Sequence, residues 1–339
     1  MSDGIRFWLK YSAGIAALLV LLAWGVSHWH LDRISALVAD RLMLLNELRK
    51  DALQEYFHTA EAELLFWGSS PDIVAAQDGF RRIWQGQGAD ISARLVERFG
   101  AMDSSHRGAV GGGAGEFPVD GGYGEWHGRL HEVARQFVTG RGYYDFFLIG
   151  AEGTVFYTVE KEEDFTSNLA SGPLKDSHLA QTWRRAMAAE PGVVAISDMQ
   201  SYAPSNGDPA IFMALAMRDA AGAVQGVIAF QLPTARIVEI MNYTSGMGRS
   251  GETYLVGEDL LMRSNSRFVK ESTILRQRVD TPTVALGLKG EADHAWVPDY
   301  RGVPVLSAYN QLDVDESRWA IMAEMDRDEV AEIAAGDRP

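Results

Sequence analysis

The chain has 339 residues, 47% of them apolar, which is enough for a sizeable core and more than one folding unit. Its 31 basic and 46 acidic side chains leave a net charge of −15 with no basic cluster to offset it, so a role resting on nucleic-acid phosphates is excluded and no nucleic-acid partner is expected. The absence of cysteine excludes disulfides, thiolate metal sites and cysteine nucleophiles.

From Tyr11 to Leu31 there is no Asp, Glu, Lys or Arg, and Ile15 to Val26 is almost purely apolar. At about 1.5 Å per residue such a run spans the roughly 30 Å of a bilayer core, so residues 11–30 are expected to form a transmembrane helix. Arg6 and Lys10 place residues 1–10 in the cytoplasm. Trp8, Tyr11, Trp24 and Trp29 suit the two interfaces. A cleaved signal peptide, with Ala23–Gly25 as the cleavage site, is an alternative reading, and a buried soluble helix is another. In the first two, everything beyond about residue 30 is exported.

Residues 31–66 read as one long stalk helix, because Leu31, Ile34, Val38, Leu42, Leu45, Leu48 and Ala52 recur every three or four residues. The stripe packs on its own domain or forms a dimer seam near the membrane. Residues 67–100 are helical and irregular, with a new helix opened by Pro71. Residues 100–125 are too rich in glycine for regular structure, and a short helix then ends at Gly140.

From Tyr143 the period changes to β. "YYDFFLIG" and "TVFYTVEK" form a hairpin across "AEG", "SHLAQTWRRAMAAE" is a helix, and "VVAISDMQSY" is a strand. "PAIFMALAMRD" and "VQGVIAFQLP" form a second hairpin, followed by the helix "TARIVEIMNYTS". The pattern then restarts. "ETYLVGED" and "LLMRSNSR" read as a hairpin, "TPTVALGLKG" as helix or loop, and "HAWVPDYRG", "VPVLSAYNQLD" and "RWAIMAEMD" as strands. Antiparallel strands flanked by helices give an α+β class with PAS-like layout.

Between the two halves stands a G-x-G-x-x-G, formed by Gly246, Gly248 and Gly251. A helix precedes it and a strand follows, the reverse of the dinucleotide-binding context, so the glycines are read as a sharp turn and no cofactor is expected. His127 and His131 share one helix face, but two ligands without a third make no metal site, and they are read as surface or loop-packing residues. No catalytic motif is present, and no enzymatic activity is expected.

The stretches 143–180, 197–214, 246–268 and 300–329 together resemble the double Cache (dCache) extracellular sensor region of bacterial transmembrane receptors. Those receptors are methyl-accepting chemotaxis proteins, sensor histidine kinases and nucleotide or diguanylate cyclases. The resemblance implies that the stalk carries a membrane-distal PAS-like module over 67–235 and a membrane-proximal one over 236–335. It implies a receptor of the inner membrane with the bulk of the chain periplasmic, most closely of chemoreceptor type, dimeric through its stalk. Its output would be a helix displacement, with the second membrane helix and output domain of the pattern not encoded before residue 339. A membrane-anchored binding protein without output is the rival reading.

A small-molecule ligand, an amine or a carboxylate, is expected in the distal module, whose pocket needs apolar walls and a few convergent polar groups. Asp145 interrupts an apolar strand and needs either a ligand amine or a basic partner. Lys161 and Asp164 are placed to bracket a ligand, Tyr157 and Tyr202 offer hydroxyls, and Phe147 and Phe212 supply wall. The resemblance adds Asp198 and Tyr202, because a related amino-acid-binding branch has polar contacts after the equivalent strand. That branch also carries an Arg-x-Trp-Tyr stretch, where this chain has Arg141-Gly142-Tyr143-Tyr144.

Overall fold

A computed structural model of the chain describes residues 3–100 and 122–336. A single helix, α1 (Asp3–Gly68), covers both the expected membrane span and the stalk. Among the described residues no helix is long and apolar enough to cross a membrane; the side chains of residues 11–17, 23, 26–28 and 30 of the expected span lie outside them. The buried stripe of α1 runs through Val38, Ala39, Leu42, Leu53, Phe57, Ala60 and Leu64, whereas Leu31 and Leu48 of the expected stripe are exposed. Asn46 takes the inward position between them and donates to the carbonyls of Ala308 (3.2 Å) and Ile321 (2.8 Å).

Pro71 opens α2 (Pro71–Gly100), which bends at Gly88 (φ 44°, ψ −120°), a conformation that glycine adopts without a Cβ penalty. The expected glycine-rich loop lies, for residues 101–121, outside the described residues. After it come α3 (Tyr123–Arg141), β1 (Asp145–Gly150), β2 (Val155–Thr158) and α4 (His178–Ala188). The next elements are β3 (Val194–Ile196), β4 (Gln200–Tyr202), β5 (Asp208–Arg218), β6 (Val224–Leu232) and α5 (Thr234–Met241). The chain closes with β7 (Glu252–Gly257), α6 (Pro282–Gly287), β8 (Asp293–Pro298), β9 (Pro304–Val314), β10 (Ser317–Asp326) and α7 (Arg327–Ala335).

Sheet I has the order β2-β1-β6-β5-β3, with β4 paired to β5, and sheet II the order β7-β10-β9-β8; every pairing is antiparallel. One face of sheet I packs on α1, α2 and α3 through Phe146, Leu148, Phe230 and Ile228 together with Phe80, Leu64 and Tyr123. That core continues into sheet II through Leu255, Leu312, Trp319 and Ile321. The other face of sheet I, with Phe147, Phe212 and four alanines (Ala195, Ala210, Ala214, Ala229), lies under α4. Each large apolar side chain removed from water in these layers contributes about 1.5–3 kcal/mol.

Two expected strands are altered. "VVAISDMQSY" divides into β3 and β4, because Ser197 Oγ accepts from the Phe212 N–H (2.9 Å) and Asp198 turns out of the ladder. "LLMRSNSR" forms no strand. It runs beside β7 with Arg263 N donating to Leu255 O (2.8 Å), but the Leu255 N–H goes to the Ser264 hydroxyl (3.0 Å) instead of to backbone. In both places a serine hydroxyl competes with the backbone for a ladder position.

The glycine loop follows α5 and precedes β7, as the flanks indicated. Gly246 (φ 85°) and Gly248 (φ 64°) turn the chain so that the N–H groups of Arg249 and Ser250 meet the Glu329 carboxylate of α7 at 2.8 and 2.7 Å. The loop thus cradles an internal carboxylate rather than a pyrophosphate.

Candidate functional site

β1 begins with Asp145, and directly opposite it on β6 stands Gln231; Gln231 in turn faces Phe212 on β5. This rung ends the sheet, so its polar side chains meet the connection that leaves β2. Asp145 Oδ1 accepts three backbone N–H groups, from Phe146 (2.7 Å), Val159 (2.7 Å) and Glu160 (3.2 Å), which fixes the carboxylate and pins that connection to β1. Asp164 lies farther along the connection, and its Oδ2 accepts from Tyr202 Oη at 2.9 Å. Tyr202 also packs edge-on against Phe212 (4.8 Å), which meets Phe147 at 6.1 Å.

Three oxygens of this cluster are left over. Asp145 Oδ2, Asp164 Oδ1 and Gln231 Oε1 are buried and accept no well-formed hydrogen bond. The orientation of the Gln231 amide follows from its neighbours. Ser205 Oγ donates to Glu162 Oε2 (2.8 Å), so it must receive from Gln231 Nε2 (3.1 Å), and this turns Gln231 Oε1 the other way. Unmet acceptors in a protein interior cost about 1–3 kcal/mol each, more for a charged group.

Burial pushes the Asp145 carboxyl well above its usual range, with the neighbouring charges of Asp164 and Glu160 adding to the effect. Burial likewise raises Asp164 to about 7, against the pull of the Tyr202 hydroxyl.

Behind β2, on the other side of the sheet, lies a second group. Lys161, at positive φ (54°), folds its Nζ back to the carbonyls of Thr158 (3.1 Å) and Val159 (3.2 Å) and approaches His131 Nδ1 (3.4 Å). It also stands over the rings of Phe99 (5.1 Å) and Tyr157 (5.2 Å). Burial lowers its ammonium to about 7, although Asp145 and Glu160 pull the other way. His131 Nδ1 pairs with Tyr157 Oη (2.8 Å) and its ring stacks on His127 at 4.4 Å. Both histidines are buried, so of the two expected placements the surface one does not hold. Burial, with the charges of Lys161 and His131, holds His127 well below the usual imidazole range.

The structure therefore brings Asp145, Phe147, Asp164, Tyr202 and Phe212 together at the end of sheet I. Tyr157 and Lys161 form an adjoining group whose polar atoms are engaged with one another and with backbone. Asp198 stands apart. Its carboxylate holds Arg263 through Nε (3.1 Å) and Nη2 (2.7 Å) and accepts from Trp319 Nε1 (2.8 Å), all on the sheet II side. Gln231 and Ser205 escaped the sequence reading. The available signal was a polar residue at the inward end of the apolar run "VIAFQLP", the same kind of interruption that marked Asp145.

No protein-family model matches the chain, and no curated protein sequence matches it. Among solved structures, it is similar to the ligand-binding domain of the Campylobacter jejuni chemoreceptor Tlp3 in complex with 4-methylisoleucine. That likeness has a TM-score of 0.51 at 8% identity, over 88% of this chain and 94% of the other. It is similar also to the extracellular domain of vpHK1S-Z8, described as a histidine kinase, with a TM-score of 0.50 at 10% identity, over 90% of this chain and 95% of the other. This chain has the fold of a chemoreceptor ligand-binding domain and of a histidine kinase extracellular domain, in agreement with its resemblance to Cache sensor regions.

Proposed function

We propose that the chain is the extracytoplasmic sensing region of a bacterial transmembrane receptor of chemoreceptor type, with two tandem PAS-like modules built on sheets I and II. On this reading sheet I holds a small molecule bearing a protonated primary amine. One observation carries the ligand class: three buried acceptors, Asp145 Oδ2, Asp164 Oδ1 and Gln231 Oε1, lack donors at one end of one sheet. An ammonium group has three N–H donors and no acceptor, and its charge offsets one of the two carboxylates. Lys161 is spoken for by two carbonyls and His131, so among the described residues it offers a ligand carboxylate no free ammonium. The amino acid bound by the Tlp3 domain carries an ammonium of this kind. Phe147, Phe212 and Tyr202 supply the apolar wall. Residues 11–30 anchor the chain in the inner membrane, and Leu37, Leu44 and Leu48, exposed on α1, face a second copy.

Thermal denaturation of the full chain against a panel of primary amines, their N-acetyl derivatives and the matching carboxylic acids tests the assignment. At least one amine raises Tm by linkage, its N-acetyl derivative does not, and Asp145→Asn and Asp164→Asn each lose the response while still folding. A panel in which acids alone stabilise the protein, or an amine response kept by both variants, sinks it.

A further inference from the structure

Sheet II has a polar centre of its own. Glu252 on β7 and Glu324 on β10 are directly opposite in register, and Glu324 faces Ser307 on β9. Both glutamates are buried. Like charges opposite one another on a sheet face repel, and burial removes the water that would screen them. A third carboxylate, Asp299, projects from the turn between β8 and β9, and one oxygen from each of the three lies within 4.8 Å of the others.

Two buried atoms point into this group and toward each other, without meeting in a well-formed hydrogen bond. Glu324 Oε1 receives Ser307 Oγ (2.7 Å), but Oε2 has no well-formed hydrogen bond. The same is true of Tyr254 Oη, two residues along β7 on the face of Glu252 and opposite Met322. The remaining carboxylate oxygens are braced: Glu252 by Tyr300 Oη (2.7 Å) and Ser266 Oγ (2.9 Å), Asp299 by the N–H groups of Arg301 (2.7 Å) and Val303 (3.0 Å). Arg301 is the cation at hand, and it is divided between Asp299 (2.6 Å) and Asp326 (2.7 Å). Arg267 directs its guanidinium to the carbonyls of Gly251 and Arg249. Ionised, the four carboxylates thus exceed the guanidinium by three charges.

We propose that Glu252, Asp299 and Glu324 form a divalent-cation site in the sheet II unit, suited to Ca2+, with Tyr254 Oη beside it. All donors are hard oxygens. Two oxygens on opposite sides of Ca2+ are separated by about 5 Å, twice the usual Ca–O distance, which accommodates the observed spacing. Mg2+ keeps several waters and matches a buried, carboxylate-lined rung less well.

Terbium luminescence on the full chain tests this directly, since Tyr254 and Tyr300 pack edge-on beside the site (5.6 Å) and sensitise a bound lanthanide. Wild type gives sensitised emission that Ca2+ displaces and Mg2+ displaces poorly, and Ca2+ raises Tm in a manner reversed by EGTA. Glu324→Gln and Glu252→Gln, which keep side-chain shape, weaken Tb3+ binding by more than about tenfold. Asp145→Asn leaves the emission unchanged, which separates this site from the amine site. Absence of sensitised emission in wild type, or equal emission in both glutamine variants, overturns the proposal. So does a melting temperature that follows pH but ignores Ca2+, because it assigns a shared proton to the glutamate pair.

Discussion

Asp164 carries a carboxylate into the interior with Tyr202 Oη on one oxygen and no well-placed donor on the other. Its folded pKa of about 7 lies above the unfolded value near 3.8. A raised carboxyl contributes stability that is complete below the unfolded pKa and is lost as pH rises through about 7. Lys161 has the opposite sense, since its folded pKa of about 7 lies below 10.5 and its contribution, complete above 10.5, is lost as pH falls to about 7. The two together place a stability minimum near neutrality, where a bound ammonium would do most. Asp164→Asn therefore flattens the acid limb, so that the fall in stability between pH 4 and pH 7 shrinks by a few kcal/mol, on the order of three pKa units. Urea midpoints at pH 5 and pH 8 measure it, and identical slopes in both proteins reject the assignment. Asp145 was legible in the sequence because a charge breaks an apolar strand. Gln231 was not, because an amide in the same position carries no charge to attract notice.

Elements with a clear apolar period were legible: α1, α3, the β1–β2 and β5–β6 hairpins, and the last three strands all occur where the pattern puts them, and α2 was legible from the proline that opens it. Failures cluster where a short polar residue has a partner far away in sequence. The break between β3 and β4 belongs to Asp198, reaching Arg263 and Trp319, and the missing strand after β7 belongs to Arg263 and Ser264. Neither partner is visible from local periodicity. The loop of Gly246, Gly248 and Gly251 is a related case, since its purpose is set by Glu329, about eighty residues onward. Glu329→Ala leaves two buried-side N–H groups, of Arg249 and Ser250, without an acceptor and costs about 1–3 kcal/mol. Denaturant titration shows this as a lower midpoint at unchanged slope, and Glu329→Gln recovers part of the loss. A variant as stable as wild type would mean that the loop is held by other contacts.

At the scale of the whole molecule, sheet II repeats the neighbour order of sheet I without a counterpart of β2: the first strand beside the last, then the two before it in turn. The two units meet where β3 gives way to β4. Asp315, in the turn between β9 and β10, accepts from the Ile196 N–H (2.8 Å) and pairs with Arg185 of α4, while Asp198 holds Arg263 and Trp319. Four residues past Asp198 lies Tyr202, bonded to Asp164 in the proposed amine site. In the proposed receptor, a ligand that draws Asp164 away from Tyr202 would pull on β4 and, through Asp198, on β10, which leads straight into α7. Arg263 is 1% exposed, and its other anionic partner is Asp259 (2.9 Å). Asp198→Ala strips a buried guanidinium of its bidentate partner and costs about 3–5 kcal/mol, whereas adding Arg263→Met removes the stranded charge and returns part of that loss. The double-mutant cycle measures the strength of the link between the units. In both variants the amine-induced rise in Tm persists, because Asp198 lies outside the cluster that receives the ammonium. Loss of the amine response in a folded Asp198→Ala variant, with Asp164→Asn still responding, would instead make Asp198 a ligand contact and move the site toward the junction of the two sheets.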